Sequence, residues 1–177
     1  MPTRPELHPC HYCASLPNIH NSFADTTYEW TETLHTLEEW TARLAEKAER
    51  NEPVLVLDDS GSVVGWTSYG DFRDSTRWPG YRFTVEHTIL LAESHWGRGL
   101  GRRLLESLMV AASRAGKRVM VAGIDSSNEA SMAFHARLGF TEVARMPGVG
   151  DKWGQRLDLV LMQRDLVDLP VDDRAGS

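Results

Sequence analysis

The stretch 82–114 constrains the fold more than any other part of the chain, because its residue pattern changes period across a glycine-rich turn. In residues 82–91 the two sets of alternating side chains have the period of a β-strand with two different faces. From Leu100 onward, apolar residues recur at helical spacing. One strand face carries Phe83, Val85, His87, Ile89 and Leu91, and the other carries Arg82, Thr84, Glu86, Thr88 and Leu90. The pattern predicts a strand, a glycine turn at 97–101 and a helix, in that order.

This strand–turn–helix unit predicts a site for an anion. Glycine lets the backbone turn sharply and leaves consecutive N–H groups free, and the N-terminus of a helix adds a partial positive charge. Arg98, Arg102 and Arg103 place full positive charges beside the same turn. We therefore expect the turn to bind a phosphate group.

Three nucleotide-binding patterns compete for the turn. A Walker loop requires Gly-x-x-x-x-Gly-Lys followed by Ser or Thr, and the sequence has no such run. A dinucleotide-binding fingerprint requires a third glycine where Arg102 stands, and it normally lies in the first strand–helix unit. Residues 96–101 resemble instead the pyrophosphate loop of the GNAT superfamily of N-acetyltransferases at Gly99 and Gly101. For this motif taken alone, a turn that only joins a strand to a helix is the alternative.

Trp96 departs from that loop, which usually begins with Arg or Gln. The loop would hold phosphate mainly through backbone N–H groups. We therefore expect Trp96 to weaken or reshape binding without abolishing it.

A second motif strengthens the resemblance. Residues 124–140 are similar to the second acetyl-CoA-contacting block of the superfamily. Shorter runs at 70–73, 84–87 and 151–159 resemble the branch that acetylates phosphinothricin and methionine sulfoximine. The resemblance covers roughly residues 18–168.

The resemblance implies an α/β fold, with a central, mostly antiparallel mixed sheet and helices on both faces. It divides the chain into an atypical N-terminal segment (1–17), an N-acetyltransferase domain (18–168) and a polar C-terminal tail (169–177). It also implies acetyl-CoA as co-substrate, no metal, and a homodimer in which the turn 148–154 crosses to the partner's pocket.

The resemblance also assigns site residues. The cofactor-binding residues are Ile89, Leu90, Leu91, Gly97, Arg98, Gly99, Leu100, Gly101, Arg102 and Asn128. The substrate-binding residues are Phe72, Arg73, Gly80, Tyr81 and Glu86, and the catalytic residues are Glu86 and His135.

Glu86 is the predicted general base. A carboxylate in a largely covered strand is costly unless it is paired or hydrated, so its presence needs an explanation. An ammonium substrate must lose a proton before it can attack a thioester, and a carboxylate can bind the cation and accept that proton, directly or through one water. A backbone N–H near Leu91 is expected to stabilise the oxyanion. A structural salt bridge is the alternative role for Glu86.

His135 stands where many members of the superfamily have a tyrosine that protonates the leaving thiolate. Histidine can donate a proton, but His135 could equally contact the pantetheine of CoA. Asn128 could hydrogen-bond the pantetheine or cap the helix that follows it. His87 lies on the strand face opposite Glu86 and is predicted to pack or to support other groups.

Two segments are predicted to form the acceptor pocket. In residues 18–32, Phe23, Tyr28 and Trp30 either line the pocket or pack in the core. In the loop 70–80, Arg73 is expected to hold a substrate carboxylate, because a guanidinium binds a carboxylate bidentately. A solvated loop arginine is the alternative.

The remaining elements follow from local signals. Thr36 and Glu39 form a capping box ahead of a helix at 37–50, and the residues 58–61 predict a hairpin. Strands are predicted at 53–57, 62–68, 117–123, 141–145 and 156–164, and a helix at 129–137.

Composition excludes other classes of protein. The net charge of −6 argues against a nucleic-acid-binding surface. No apolar run approaches the roughly 20 residues of a membrane span, and no signal-peptide core is present, so we expect a cytoplasmic protein. His8, Cys10, His11 and Cys13 are too crowded to converge easily on one metal, and a variable terminal segment is the favoured interpretation.

These observations predict an acetyl-CoA-dependent N-acetyltransferase acting on the α-amine of a small amino-acid-like substrate. The candidate acceptors are phosphinothricin, methionine sulfoximine and methionine sulfone. The alternatives are transfer to another small amine or a protein N-terminus, and a CoA-binding sensor without turnover.

Overall fold

The computed structural model describes residues 15–167 and 169. Predictions for the first 14 residues, including the His and Cys cluster, lie outside the described residues, as does almost all of the C-terminal tail. The described elements, in chain order, are α1 (Ser15–Asn21), α2 (Leu37–Glu49), β1 (Val54–Asp59), β2 (Ser62–Asp71), β3 (Thr84–Leu91), α3 (Leu100–Arg114), β4 (Val119–Asp125), α4 (Glu129–Arg137), β5 (Thr141–Lys152) and β6 (Gln155–Asp165).

The six strands form one sheet in the order β1-β2-β3-β4-β6-β5. Only β3 and β4 pair in parallel, and every other neighbouring pair is antiparallel. The helices α3 and α4 cover one face over the larger core, which includes Val85 and Leu105. The helices α1 and α2 cover the other face over a smaller core around Trp40 and Trp66. The predicted mixed sheet with helices on both faces is therefore confirmed.

The two parallel strands separate soon after they meet. They pair at Thr84↔Val119, Val85↔Met120 and Glu86↔Val121. Beyond these residues β3 continues along β2 to Leu91, whereas β4 continues along β6 to Asp125. The sheet therefore opens at the carboxyl ends of β3 and β4, immediately after Glu86.

Local capping signals are confirmed. The Thr36 hydroxyl accepts the Glu39 N–H at 3.2 Å, and the Glu39 carboxylate accepts the Thr36 N–H at 2.8 Å. Asn128 caps α4, because its side-chain oxygen accepts the Ser131 N–H at 3.0 Å. Helix α1 begins at Ser15, inside the segment predicted to be atypical.

Two predicted boundaries were wrong. Gly70 and Asp71 belong to β2 rather than to the loop, because they pair with Glu86 and Val85 of β3. The predicted turn at 148–154 is mostly strand: β5 runs to Lys152 with a register shift between Met146 and Gly150. A bulge lets β5 continue through Pro147 and Gly148 without ending. Within the described residues, no helix combines the length and apolar character needed to cross a membrane.

Candidate active site

A cavity of about 780 Å³ lies where β3 and β4 separate. Its walls combine residues 86–91 of β3, residues 122–125 of β4, the glycine turn and one side of α4. Residues 23–30, the wall segment, close the remaining side. The wall segment contributes Phe23, Tyr28, Glu29 and Trp30. Most of the predicted cofactor residues line this cavity, namely Ile89, Leu90, Leu91, Gly97, Gly99, Leu100, Gly101, Arg102 and Asn128.

The glycine turn is open enough to receive a phosphate. Gly97 and Gly99 have φ angles of +73° and +75°, in the left-handed region that side chains rarely adopt. A Cβ atom at either glycine would have no other atom within 4 Å. Gly99 is also the N-cap of α3, so the free N–H groups of the first helical turn lie beside this open space. The residues present therefore fit the pyrophosphate of a CoA molecule.

Gly101 lies where the start of α3 packs against α4, at distances that are ordinary van der Waals contacts. A Cβ atom there would lie 3.5 Å from the Phe134 ring of α4 and 3.8 Å from the Leu91 side chain. This contact brings the start of α3 against α4, which places both helices at the same cavity.

The two predicted cofactor arginines have ion-pair partners in the protein. The Arg98 guanidinium lies 3.3 Å from Asp59, and Arg98 does not contribute to the cavity lining. Arg102 lines the cavity, and its Nε donates to Glu106 at 2.8 Å. Both pairs are exposed and contribute little to stability, so an arriving phosphate could compete for either arginine.

Trp96 takes part in the cavity wall. Its indole N–H donates to the Leu91 carbonyl at 2.7 Å, and its ring stacks on Phe23 with 6.5 Å between centroids. The residue that departs from the usual motif thus joins the end of β3 to the wall segment.

Glu86 lies at the point where the strands separate. Its carboxylate sits over β4, since a Cβ atom at Gly123 would lie only 2.8 Å from Glu86 Oε1. Water reaches the side chain, but the cleft walls remove part of its hydration, and this burial raises the pKa of the Glu86 carboxyl above its usual value. Glu86 also borders a second cavity of about 120 Å³ on the α2 side, beside Arg43 and Lys47. In the described part of the chain the Glu86 carboxylate has no ion pair, so the salt-bridge alternative finds no partner there.

His135 and His87 form a buried pair on the other side of β3. His135 Nδ1 lies 2.8 Å from the Ser131 carbonyl, which can only accept, so Nδ1 carries the hydrogen. The two Nε2 atoms are 3.2 Å apart, and His87 is then the donor and His135 the acceptor. Burial lowers the pKa of both histidines, and a positive charge on His135, when it is protonated, would lower the pKa of His87 further.

This pairing bears on the predicted role of His135 as an acid. The lowered pKa values favour the neutral form of both imidazoles, and in that form the one hydrogen of His135 is directed to a backbone carbonyl. A proton supplied by His135 to a thiolate would have to be replaced through His87. The roles of His135 as acid or as a pantetheine contact stay predictions, and the expected packing of His87 is confirmed by its burial against Phe140.

The loop after β2 forms a separate aromatic cluster. The Arg73 guanidinium lies over Tyr81 at 5.5 Å and Phe72 at 5.9 Å. None of the predicted substrate residues Phe72, Arg73, Gly80 and Tyr81 is among the residues that line the main cavity. Phe72 and Arg73 directly follow β2, and Gly80 and Tyr81 lie in the short helix Pro79–Tyr81 ahead of β3.

Several site residues were missed by reading the sequence. Gly123 makes room for the Glu86 carboxylate, and a glycine inside a strand is the only local signal of such a close approach. Asp125 accepts the Trp30 indole N–H at 3.2 Å and the Ser127 N–H at 2.8 Å, which links the wall segment to the start of α4. No local pattern indicates that contact. Among the described residues no cluster of three or more potential metal ligands occurs.

The fold and the cleft are those of an acyl-CoA-dependent acyltransferase, and the chain belongs to the acetyltransferase (GNAT) family, whose sequence profile matches residues 16–140. It is an N-acetyltransferase with acetyl-CoA as co-substrate.

Relatives of known name and structure support this assignment. The L-methionine sulfoximine/L-methionine sulfone acetyltransferase of Salmonella typhimurium is 42% identical over 164 residues, which cover 87% of this chain and 89% of the relative. The structure of yncA from Salmonella typhimurium with its cofactor acetyl-CoA matches with a TM-score of 0.84 and 38% identity, over 95% of each chain. A phosphinothricin acetyltransferase from Sinorhizobium meliloti, solved with acetyl-CoA, matches with a TM-score of 0.82 and 31% identity, over 90% of this chain and 85% of the other.

Proposed function

We propose that this enzyme transfers the acetyl group of acetyl-CoA directly to the α-amine of a small amino-acid-like acceptor, with Glu86 as general base. Methionine sulfoximine, methionine sulfone and phosphinothricin are the proposed acceptors. The observation that carries the proposal is the Glu86 carboxylate at the point where β3 and β4 separate, which has no ion pair within residues 15–167.

The raised pKa of Glu86 suits this role. A base works best when its pKa lies closer to the working pH than that of an ordinary glutamate, which is about 4.3. The Glu86 carboxylate would attract the acceptor's ammonium group and take one proton, directly or through a water. The freed amine forms the N–C bond to the acetyl carbon and the C–S bond breaks. The second proton that the nitrogen loses goes to the departing thiolate, so CoA leaves as a thiol, and Glu86 returns the first proton to solvent. Charge and atoms balance without a further reactant.

The surroundings of Glu86 suit a small acceptor rather than a protein. Aromatic side chains of the wall segment face the cavity, and Arg43 and Lys47 lie across the second cavity. The relatives that act on methionine sulfoximine and phosphinothricin support the same size of acceptor.

The test is acetyl-CoA-dependent thiol release with L-methionine sulfoximine, L-methionine sulfone and L-phosphinothricin. A polyamine and an aminoglycoside serve as controls, and the Glu86→Gln variant serves as the blank. Fast release with the three amino acids alone would support the proposal. Binding of acetyl-CoA without release from any of them would contradict it and favour a different amine or a sensor.

We further propose that Arg73 holds the acceptor's carboxylate. Replacing Arg73 by Ala is expected to raise KM for amino-acid acceptors by about tenfold or more, because a charge-assisted bidentate hydrogen bond is lost. Arg77→Ala is the matched control, since Arg77 is an exposed arginine of the same loop that lies over Trp78 at 4.7 Å. Equal KM values for the two variants would remove Arg73 from the acceptor site.

We also propose a homodimer that uses the β5 edge of the sheet. This strand ends the sheet and exposes Val143, Met146 and Val149. A long edge strand with exposed apolar side chains is suited to pairing with a second copy. Sedimentation velocity should give a dimer that Val149→Glu weakens, and a monomeric parent protein would refute the proposal.

A further inference from the structure

Lys152, at the end of β5, is completely buried, with an exposed fraction of 0%. Its ammonium group donates to the carbonyls of Ala24 and Thr26, each at 2.7 Å, and to the carbonyl of Glu29. In the described residues it forms no ion pair with a carboxylate. All three hydrogen bonds fall on the wall segment, and the ammonium group also lies 4.5 Å from the centroid of the neighbouring Trp153 ring.

This arrangement accounts for every hydrogen of the ammonium group. A buried charge is costly unless it is hydrogen-bonded, and Lys152 has three N–H donors that meet three acceptors. The three carbonyls also require hydrogen-bond donors, because buried backbone groups of a loop must be hydrogen-bonded by groups outside the loop. One side chain thus satisfies three positions of a segment that has no helix or strand.

The base of the wall segment is also fixed. The Asn21 side chain donates to the His35 carbonyl and accepts the His35 N–H, both at 2.9 Å, which closes the loop that contains the segment. Between these ends, two side chains of the segment contact other elements: Phe23 stacks on Trp96, and the Trp30 indole N–H donates to Asp125. The tip of the β5–β6 hairpin adds the three carbonyl contacts of Lys152 and one further contact. The Trp153 N–H donates to the Glu32 carboxylate at 2.7 Å.

A second residue of the hairpin supports the same segment. Gly150 lies two positions before Lys152 and packs against the Trp30 ring so closely that a Cβ atom there would lie 2.3 Å from it. Lys152 therefore holds the backbone of the wall segment, while Gly150 leaves room for its indole ring.

We propose that Lys152 is a positioning residue that sets acceptor recognition by holding the wall segment, and with it Tyr28, Glu29 and Trp30, against the cavity. The inference rests on the proposed function insofar as it concerns the acceptor. Lys152 does not line the cavity, so it acts through the segment it holds.

The test uses Lys152→Met, which keeps the length of the side chain and removes its charge and its donors. The acceptor KM is expected to rise by about tenfold or more, while the Kd for acetyl-CoA changes by less than about twofold. Hydrogen exchange of the amides at 24–30 should also become faster than in the parent protein. Val160→Ala is the control, since it removes volume from the larger core without touching the wall segment.

A Lys152→Met variant that loses thermal stability as Val160→Ala does, with an unchanged acceptor KM and unchanged exchange at 24–30, would overturn the proposal. If Lys152→Met does not fold, the Gly150→Ala variant tests the proposal instead, because its methyl group must displace Trp30. The same rise in acceptor KM would support the proposal, and an unchanged KM would overturn it. If the parent enzyme acetylates none of the acceptors, the proposed function fails, and hydrogen exchange at 24–30 alone decides the role of Lys152.

Discussion

Replacing Glu86 by Gln is expected to lower kcat by about 100- to 10,000-fold, the range that a positioned general base contributes. Glutamine has the same shape and still fits over Gly123, but it cannot accept the proton of an ammonium group. The Kd for acetyl-CoA should change by less than about twofold, because Glu86 is proposed to act on the acceptor rather than on the cofactor at the glycine turn. Steady-state kinetics with calorimetric titration of acetyl-CoA measures both quantities.

The pH dependence of kcat/KM tests the role of Glu86 in a second way. Only the ionised carboxylate can accept a proton, so kcat/KM should fall as the pH falls through the pKa of Glu86. Because burial raises that pKa, the fall should begin at a higher pH than an ordinary glutamate would give. The Glu86→Gln variant should lose this limb of the profile.

Glu142→Gln is the matched control, since it neutralises an exposed carboxylate that pairs with Arg145 on β5. Its kcat should stay close to that of the parent enzyme. If Glu86→Gln lost kcat and acetyl-CoA affinity to the same extent, Glu86 would have a structural role instead.

Replacing Gly99 by Val is expected to raise the Kd for acetyl-CoA by about ten- to a hundredfold. A β-branched residue at a φ of +75° is strained, and relief of that strain would rotate the N–H groups at the start of α3. Hydrogen bonds to a charged group contribute about 1.5–3 kcal/mol each, so the loss of one accounts for an effect of this size. Titration with acetyl-CoA and with desulfo-CoA measures the change.

Gly116→Val controls for the backbone strain itself. Gly116 follows the other end of α3, has a φ of +77°, and a Cβ atom there would also have no other atom within 4 Å. Gly116→Val should lower the stability of the protein by a similar amount without changing the Kd for acetyl-CoA. Equal affinities for the two variants would remove the glycine turn from the cofactor site.

The glycine turn and its flanking elements were predictable because each carries its own local signal. Alternation indicates β3, the change of period indicates α3, and the capping box marks the start of α2. The glycines of the turn were expected to let the backbone turn sharply, and Gly97 and Gly99 have positive φ angles there. The family motif then placed Glu86 beside them without any knowledge of the sheet.

The acceptor side was predicted less well, because it depends on contacts between distant parts of the chain. The glycine at position 123 matters only because the Glu86 carboxylate lies over it. The residues near position 123 do not indicate that Glu86 is the neighbour. The resemblance implied a turn at 148–154, but pairing with β6 carries the strand to Lys152. The sequence around Lys152 is typical of a surface lysine. In the structure it is buried, and its ammonium group donates to three carbonyls from the other end of the chain.

The contact of Lys152 with Ala24 spans 128 positions of sequence. During synthesis the wall segment is made early, whereas its ammonium donor is among the last residues of the domain to appear. Until then the three carbonyls can bond only to water or to other chains. The glycine turn, Glu86 and His135 all precede Lys152, so the enzyme's cofactor half can assemble first, and selectivity for the acceptor is completed only when the last hairpin docks.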